Sequence, residues 1–401
     1  MKKIIVLLFV KTYLPGFKSG GPVRSISNLV SQLGDVFEFR IVTSDRDSLD
    51  INSYSNIYLN DWNRIGKAWV YYLSKNNRGI LYLMRLIRET HHDVLYLNSF
   101  FDINFSQKAL LLQRFELLSN KPIILAPRGE FSVGALAIKS LRKKIFIFIT
   151  TQVWLYKNVI WQATTDLERI DIHNTLRVKY KEIIIAQDMP QQPHEIPLRK
   201  YDVINRNREQ YRIVFLSRIS PIKNLDFALR VIAKLKIKVI FDIYGPIVSK
   251  SYWRYCMDLM KTIPLNVTVK YQDSVIHSKV LNILETYDLF FLPTYGENYG
   301  HVIIESMIVG TPVLIADTTP WRNLEQDGVG WELPLDDEQQ FVNKIHAAAE
   351  ISCKDYKRWR KKVSNYAHKR VINPQVLEAN RKLFIEVTQS EQNKLHRCAK
   401  P

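Results

Sequence analysis

The 401-residue sequence is poor in cysteine and has no long hydrophobic segment. Its three cysteines, Cys256, Cys353 and Cys398, are far apart and form no Cys-x-x-Cys pair. This spacing excludes a disulfide framework and an ordinary structural zinc site, and it favours a reducing cytoplasmic location. No stretch reaches the roughly 18 consecutive apolar residues that a membrane-spanning helix needs. The motifs Gly-x-Gly-x-x-Gly, the Walker lysine loop and Gly-x-Ser-x-Gly are also absent, which disfavours simple NAD and ATP sites and a serine hydrolase.

The composition is that of a globular protein with a large excess of positive charge. Hydrophobic residues make up 46% of the chain and charged residues 24%, which is enough apolar material for sizeable cores. Lysine and arginine exceed aspartate and glutamate by 57 − 39 = 18. Such a surplus predicts attraction to nucleic acid, to a membrane surface or to a phosphorylated substrate, and charge alone does not choose among them.

Short β-branched or aromatic runs alternate with longer helical patterns along the chain. The predicted strands are 4–10, 39–42, 94–97, 123–126 and 159–162 in the first half, and 213–216, 239–243, 267–271, 289–292 and 313–315 in the second. The predicted helices include 23–33, 80–89, 225–235, 280–285 and 302–309. This alternation predicts an α/β fold made of βαβ units with parallel strands and right-handed crossovers.

A proline-rich polar stretch at 186–210 interrupts the alternation and indicates a connection between domains. We therefore predict a doubly wound, Rossmann-like domain over 1–190, a second one over 205–370, and a basic helical tail over 371–401 that packs back on the first domain. Because doubly wound sheets bind ligands at the carboxyl ends of their strands, we expect the two domains to face each other across a cleft with these ends.

The first candidate for ligand binding is a glycine pair, Gly20-Gly21, in the stretch that follows the first predicted strand. Glycines leave backbone N–H groups unshielded, and the N-terminus of the helix that follows adds partial positive charge. Together these features suit a phosphate or a developing oxyanion. A turn with no ligand is the structural alternative.

The second candidate is a pair of cations after the first predicted strand of the second domain. The guanidinium of Arg218 has the geometry to bind phosphate oxygens in a bidentate fork, and Lys223 adds a compact charge nearby. Their position at a strand's carboxyl edge favours a pyrophosphate site. Two solvated loop cations are the alternative.

The third candidate is a pair of acids, Glu297 and Glu305. Glu297 lies in the loop after strand 289–292, and Glu305 lies within the helix 302–309 that is otherwise apolar. A carboxylate flanked by isoleucine and methionine side chains needs a hydrogen-bonding partner. Vicinal sugar hydroxyls are such a partner, whereas an ordinary loop acid remains the alternative for Glu297.

The Glu297-x7-Glu305 pair, with Arg218 and Lys223 upstream, resembles the retaining GT-B glycosyltransferases of family 4 (glycosyl transferases group 1), of the polysaccharide-biosynthesis type. The resemblance covers nearly the whole chain. The other segments that carry it are 13–22, 126–130 and 317–321. It implies an acceptor-side N-terminal domain and a C-terminal domain that binds a nucleotide sugar.

The resemblance also implies roles for individual residues. Arg218 and Lys223 would bind the diphosphate of the donor and neutralise the leaving nucleotide. Glu297 would contact hydroxyls of the transferred sugar, and Glu305 would contact the ribose. Backbone groups of five further residues would close on the phosphates or the sugar; these are Asn298, Tyr299, Gly300, Gly20 and Gly21. Neither a metal nor another cofactor is expected, since cations, amides and a helix dipole neutralise the developing charge.

The sequence departs from the family after strand 123–126, where many members carry a histidine near the transferred sugar. This chain has Arg128-Gly129-Glu130 there. Arg128 is predicted to contact phosphate or acceptor, and Glu130 to bind a sugar hydroxyl or activate the acceptor oxygen. An Arg128–Glu130 pair that braces the loop is the structural alternative.

The segment 139–157 places lysines and arginines beside aromatic and aliphatic residues. This pattern suits a helix that lies in the headgroup region of an anionic membrane. A helix that faces the core and exposes a basic side is the alternative. The net charge favours membrane contact, at the inner face of the plasma membrane.

These observations predict a metal-independent retaining glycosyltransferase that moves a hexose from a UDP- or GDP-sugar to an acceptor hydroxyl. The expected acceptor is a lipid-linked or polysaccharide intermediate of capsule or lipopolysaccharide synthesis. A sugar-nucleotide 2-epimerase of the same architecture is the first alternative. A nucleic-acid-binding protein is a weaker one, because the cations are scattered and no aromatic RNA-binding strand, zinc finger or basic arm is present; we expect no nucleic-acid partner.

Overall fold

The computed structural model describes residues 3–138, 140–191 and 210–398, with side chains described as far as residue 389. These residues divide into two units. The first unit contains the described residues up to Met189 together with those from Pro374 onward, and the second contains those from Pro190 to Asn373. Lys139, most of the predicted connection at 186–210 and the last three residues of the predicted tail lie outside the described ranges.

The first unit is built on an eight-stranded sheet with the order β3-β4-β2-β1-β5-β6-β7-β8. Its strands are β1 (Ile5–Val10), β2 (Glu38–Ser44), β3 (Trp62–Ile65), β4 (Ala68–Leu73), β5 (Val94–Asn98), β6 (Ile123–Ala126), β7 (Val159–Ala163) and β8 (Ile183–Ile185). Every neighbouring pair is parallel except β3 and β4, which are antiparallel. β1 is buried on both faces, as expected of a central strand in a parallel sheet.

Helices connect these strands and cover both faces of the sheet. They are α1 (Gly21–Leu33), α2 (Ile80–Glu89), α3 (Lys108–Arg114), α4 (Val133–Ala137), α5 (Ser140–Gln152) and α6 (Asp166–Leu176). Successive residues of β1 alternate between two cores: Leu7 packs with the residues of α2 and α3, and Leu8 packs with those of α1. Because side chains alternate along a strand, one short apolar run stabilises both layers.

The second unit has a six-stranded parallel sheet with the order β11-β10-β9-β12-β13-β14. Its strands are β9 (Tyr211–Leu216), β10 (Val239–Tyr244), β11 (Val267–Tyr271), β12 (Leu289–Leu292), β13 (Val313–Ala316) and β14 (Gly330–Leu333). Its helices are α7 (Leu225–Ala233), α8 (Lys250–Met260), α9 (His277–Leu284), α10 (His301–Ile308), α11 (Glu338–Glu350) and α12 (Cys353–Val371).

The C-terminal helix α13 (Pro374–Cys398) packs on the first unit. The ring of Phe384 lies 5.3 Å from that of Phe37 and 5.8 Å from that of Tyr96. The side-chain amide of Asn380 donates a hydrogen bond of 2.8 Å to the carbonyl of Gln187. The chain therefore returns to its first sheet after it has completed the second.

The predicted α/β class with two Rossmann-like, parallel-sheet units is confirmed, and every predicted strand is present. The patterns missed the hairpin that β3 and β4 form around Gly66, in which the two strands are antiparallel. The patterns also missed the short edge strands β8 and β14. Short edge strands have few residues over which alternation can be recognised, so their signal is weak.

Arg360 in α12 is an arginine that is 1% exposed and lies in the apolar core of the second unit. Its guanidinium donates hydrogen bonds to the carbonyls of Glu285 (3.1 Å) and Val309 (2.9 Å), the residues that end α9 and α10. A third bond of 3.0 Å reaches the carbonyl of Tyr287. The partial negative charge of two helix C-termini thus stabilises the buried cation.

The variant Arg360→Met keeps an apolar stem of similar length but leaves these buried carbonyls without donors. We expect it to lower the free energy of unfolding by about 2–4 kcal/mol, because each unsatisfied buried acceptor is costly. Urea denaturation of the full chain measures the change. Arg358→Met is the matched control, since Arg358 is exposed on the same helix. Equal effects of the two substitutions would contradict the capping role.

No helix among the described residues is both long enough and apolar enough to cross a membrane.

Candidate functional site

The predicted site residues of the second unit gather at the carboxyl ends of neighbouring strands. Arg218 and Lys223 follow β9, and Glu297 follows β12, which is hydrogen-bonded to β9 in the sheet. In parallel sheets this edge is where ligands bind. The topology therefore brings together residues that are far apart in the sequence.

Hydrogen bonds tie the loops after β9, β12 and β13 into one assembly. The backbone N–H of Tyr295 donates to the carbonyl of Ile222 at 2.8 Å, and the hydroxyl of Thr294 donates to the same carbonyl at 3.0 Å. The hydroxyl of Thr318, after β13, donates to the carbonyl of Thr294 at 2.5 Å. The loop that carries Glu297 is thus fixed against the turn that carries Lys223.

Lys223 and Glu297 form an ion pair, with 2.5 Å between Nζ and Oε1. Lys223 is only 7% exposed, and it is the last residue of a short 3₁₀ helix, Pro221–Lys223. Burial lowers the pKa of Lys223; Glu297 opposes this shift, and the positive charge of Arg218 reinforces it. The ammonium is therefore held by its partner in an environment that disfavours its charge.

Arg218 is half-buried beside this pair. Within the described residues its guanidinium donates no hydrogen bond and forms no ion pair of 4 Å or less. Burial lowers the pKa of Arg218, and Glu297 opposes the shift. Two cations thus share the field of one carboxylate. This local surplus of positive charge favours binding of an anion.

The loop between β12 and α10 ends in a backbone geometry that requires glycine. Gly300 has a φ of 78° and caps the N-terminus of α10, and a Cβ there would lie 2.7 Å from the side chain of Ile303. The carbonyl of Tyr299 accepts a 2.7 Å hydrogen bond from Nε1 of Trp321, which is itself buried. Trp321 therefore packs beneath the loop, and the amides at the start of α10 are held at a helix N-terminus.

Glu305 lies within α10 and is 6% exposed, among neighbours that form the apolar core. The atom Nδ1 of His277 lies 3.7 Å from its Oε1. His277 is the first residue of α9, which packs against α10. Sequence reasoning missed this histidine, because nothing in the pattern near residue 277 indicates which helix α9 contacts.

Asn224, which follows Lys223, is a second polar residue to which the sequence assigned no role. It is fully buried, adopts a left-handed φ of 57°, and is the N-cap position of α7. In the described part of the chain neither polar atom of its side chain has a hydrogen-bond partner. An unsatisfied amide next to two cations adds a hydrogen-bonding group to this region.

The first unit holds the glycine pair and the Arg128–Glu130 loop. Gly20 has a φ of 65° and caps α1, and a Cβ on Gly20 or Gly21 would meet no atom within 4 Å. The backbone here faces open space. The carboxylate of Asp47 accepts hydrogen bonds from the N–H groups of Phe17 (2.6 Å) and Lys18 (2.9 Å), and so fixes the loop before α1.

Arg128 follows β6 and has a left-handed φ of 58°. Its guanidinium forms a buried ion pair with Asp188 and donates to Tyr96 Oη (2.6 Å) and Asn98 Oδ1 (2.8 Å). Burial by itself lowers the pKa of Arg128, but Asp188, Tyr96 and Glu168 together outweigh it, and the pKa lies above its ordinary value. Asp188 also accepts a 2.7 Å bond from Ser25 in α1.

Glu130 has its own partners. It accepts hydrogen bonds from the hydroxyl of Ser99 (2.7 Å) and the N–H groups of Phe100 (2.5 Å) and Phe101 (3.0 Å). Burial raises the pKa of Glu130, and these hydrogen bonds oppose the shift. The Arg128–Glu130 pair considered from the sequence is not formed. Both side chains brace their surroundings separately, and their catalytic roles stay predictions.

Comparison with known proteins finds a family model that matches part of the second half of the chain. Residues 199–368 match the model of the family Glycosyl transferases group 1. The matched range contains Arg218, Lys223, Glu297 and Glu305.

Curated relatives match over a shorter stretch. The chain is 28% identical over 126 residues to D-inositol 3-phosphate glycosyltransferase of Mycolicibacterium smegmatis, and 30% identical over 118 residues to the protein of that name from Mycobacterium tuberculosis. These matches cover 31% and 29% of this chain, and 29% and 25% of the relatives. The matched stretch thus spans less than a third of the length of these relatives.

Solved structures share the fold over nearly the whole chain. The structure of Anabaena Alr3699/HepE in complex with UDP-glucose matches with a TM-score of 0.66 and 14% identity, covering 96% of this chain and 100% of that one. The structure of WaaG, a glycosyltransferase involved in lipopolysaccharide biosynthesis, matches with a TM-score of 0.64 and 14% identity, covering 95% of this chain and 99% of that one. At this level of identity the likeness shows the fold.

The buried Arg128–Asp188 pair generates a prediction about stability. Arg128→Met leaves the Asp188 carboxylate buried without its cation, so we expect a loss of about 3–5 kcal/mol in unfolding free energy. Asp188→Asn is expected to be destabilising too. The double variant should lose less than the sum of the two, because the pair has been removed together. Urea denaturation of all four proteins measures this coupling, and strictly additive losses would contradict it.

Proposed function

We propose that this chain is a retaining GT-B glycosyltransferase of family 4, which transfers a hexose from a UDP- or GDP-sugar to an acceptor hydroxyl. The observation that carries the proposal is the cation pair Arg218 and Lys223 beside Glu297, at adjacent strand ends within the range that matches a glycosyltransferase family. The acceptor is proposed to be a lipid-linked or polysaccharide intermediate of cell-surface glycan synthesis.

The cation pair suits the chemistry of the leaving group. When the glycosidic bond to the donor breaks, negative charge develops on the nucleoside diphosphate. The guanidinium fork of Arg218 matches two phosphate oxygens, and Lys223 supplies a compact charge beside it. The N-terminus of α10 adds backbone N–H groups and the positive end of its dipole. Groups fixed before the reaction stabilise the transition state without reorganising, and we propose that no metal is needed.

Glu297 has two roles in this proposal. Without a donor it balances Lys223, as the ion pair of 2.5 Å shows. With a donor, the phosphates take over that charge, and the carboxylate accepts hydrogen bonds from hydroxyls of the transferred sugar. Glu305 accepts hydrogen bonds from the ribose, and the backbone of Asn298, Tyr299 and Gly300 faces the phosphates or the sugar.

We also propose roles for residues of the first unit. The exposed backbone at Gly20 and Gly21 is proposed to approach the donor, since no side chain shields it. Arg128 and Glu130 are proposed to act near the acceptor. Because the side chains of Arg128 and Glu130 already bond to neighbouring groups, we propose that they position the loop after β6.

Binding of nucleoside diphosphates and their sugars tests this function. We expect the wild-type chain to bind at least one of UDP, GDP and their common hexose conjugates in the presence of EDTA. Arg218→Met and Lys223→Met should each weaken that binding by about tenfold or more, because each removes a charge-assisted hydrogen bond. Lys236→Met is the matched control, since Lys236 is an exposed lysine of the same unit. Isothermal titration calorimetry measures the affinities.

The proposal fails if no nucleoside diphosphate or nucleotide sugar binds, or if the two variants bind as the control does. Product analysis with the bound donor and no acceptor distinguishes the epimerase, which would convert the sugar nucleotide into its 2-epimer. Loss of binding with EDTA that a divalent cation restores would contradict metal independence.

We further propose that the protein makes peripheral contact with an anionic membrane, at the inner face of the plasma membrane, through residues 140–157. In α5, Phe146 and Ile147 pack against the core. Other large apolar side chains of the segment are exposed; they are Leu141, Ile145, Phe148, Ile149, Val153 and Trp154. In α5 itself the exposed apolar residues recur every three or four positions, which places them on one side of the helix.

Charge complementarity favours an anionic bilayer as the partner of this surface. Arg142, Lys144 and Lys157 are exposed beside the apolar side chains. Phe148 and Trp154 are 64% and 68% exposed, which is unusual for aromatic residues of a folded protein. Apolar side chains flanked by cations bind the interface between acyl chains and anionic headgroups. A helix that only faces the core would explain the packing of Phe146 and Ile147, but not the exposure of the other apolar side chains.

Vesicle co-sedimentation tests this contact. We expect the wild-type chain to bind vesicles that contain phosphatidylglycerol more strongly than vesicles of phosphatidylcholine alone. The double variant Phe148→Ser/Trp154→Ser should lower that binding by about tenfold or more, through loss of apolar burial. Leu81→Ser is the matched control, because Leu81 is equally exposed on α2. Equal binding to both vesicle types, or no effect of the double variant, would contradict the proposal.

A further inference from the structure

The carboxylate of Glu305 is buried within α10. It is 6% exposed, and the residues around it in α10 belong to the apolar core. A carboxylate in such surroundings is costly unless charge or hydrogen bonds stabilise it. Polar groups beside this carboxylate therefore help to set the direction in which its oxygens point.

His277 lies beside it. The atom Nδ1 is 3.7 Å from Oε1 of Glu305, which is an ion-pair distance rather than a hydrogen bond. On the other side of the ring, Nε2 is 3.4 Å from Oε1 of Gln191. The imidazole thus has an oxygen near each nitrogen. An imidazole N–H can donate a hydrogen bond to an oxygen near either nitrogen.

The position of His277 in the chain restricts its movement. It is the first residue of α9, and α9 packs against α10 through buried side chains such as Leu281 and Leu284. The side chain of His277 is 26% exposed. The ring therefore lies next to the Glu305 carboxylate and is also accessible to solvent. The histidine is therefore held by its helix next to Oε1.

We propose that His277 is a positioning residue for donor recognition, which fixes the orientation of the Glu305 carboxylate so that it accepts hydrogen bonds from the ribose hydroxyls. This inference rests on the proposed function, since it assigns a task to Glu305 within that site. His277 itself acts through Glu305 and does not touch the reacting atoms.

The test compares a nucleoside diphosphate with its 2′,3′-dideoxy analogue, which lacks both ribose hydroxyls. The affinity ratio of the two ligands isolates the contribution of the hydroxyls. In the wild-type chain we expect the normal nucleotide to bind about tenfold more tightly than the analogue. Glu305→Ala should reduce the ratio to about one, and His277→Ala should reduce it by at least threefold.

Two conservative substitutions distinguish positioning from simple packing. The side-chain nitrogen of asparagine overlies Nδ1 of histidine, so His277→Asn keeps a donor towards Glu305 and should restore much of the ratio. The side-chain nitrogen of glutamine overlies Nε2 instead, so His277→Gln should restore less. Lys279→Ala is the matched control, since it removes an exposed cation from the same helix.

The outcomes are distinguishable. A ratio that falls in His277→Ala and recovers in His277→Asn supports the inference. A ratio that His277→Ala leaves unchanged, while Glu305→Ala abolishes it, overturns the inference and leaves the proposed function intact. If the wild-type chain binds none of the uridine or guanosine diphosphates, the proposed function fails and the inference fails with it.

Discussion

Two cations near one carboxylate, the buried Lys223 and the half-buried Arg218, are the arrangement on which the rest of the second unit's proposed site depends. Lys223 forms an ion pair with Glu297, and the negative charge of Glu297 also acts on Arg218. Desolvation disfavours both positive charges. The loops that hold them are fixed by hydrogen bonds to each other. The surrounding fold thus holds a surplus of positive charge at a strand edge, and we propose that a diphosphate neutralises it there.

The surrounding structure holds these groups in place from several directions. Arg360 caps the C-termini of α9 and α10, the helices that carry His277 and Glu305. Trp321 supports the loop before α10 through the carbonyl of Tyr299. Arg360 and Trp321 are both buried. Arg360 fixes the ends of two helices, whereas Trp321 fixes a loop. Charged groups that are held by rigid helices and loops keep their positions, so that they need not move when a ligand binds.

The sequence was sufficient for the fold where short apolar or β-branched runs alternate with helical patterns. β6 (Ile123–Ala126), β11 (Val267–Tyr271) and β12 (Leu289–Leu292) were predicted with the bounds that the structure has. The β3–β4 hairpin was missed, because a tight turn at Gly66 resembles loop sequence between two patterns. Local patterns also do not reveal which distant side chains meet. Asp188 lies in a stretch that reads as a connection, yet it forms a buried pair with Arg128, and His277 meets Glu305 only because α9 packs on α10.

The central claim is that the second unit binds the two phosphoryl groups of a nucleotide through fixed cations. The most direct measurement is a calorimetric comparison of a nucleoside, its monophosphate and its diphosphate at increasing salt concentration. We expect the affinity to rise steeply with each added phosphate. Because salt screens charge, the gain in affinity per phosphate should become smaller as the salt concentration increases. Equal affinity for the monophosphate and the diphosphate, with no dependence on salt, would contradict it.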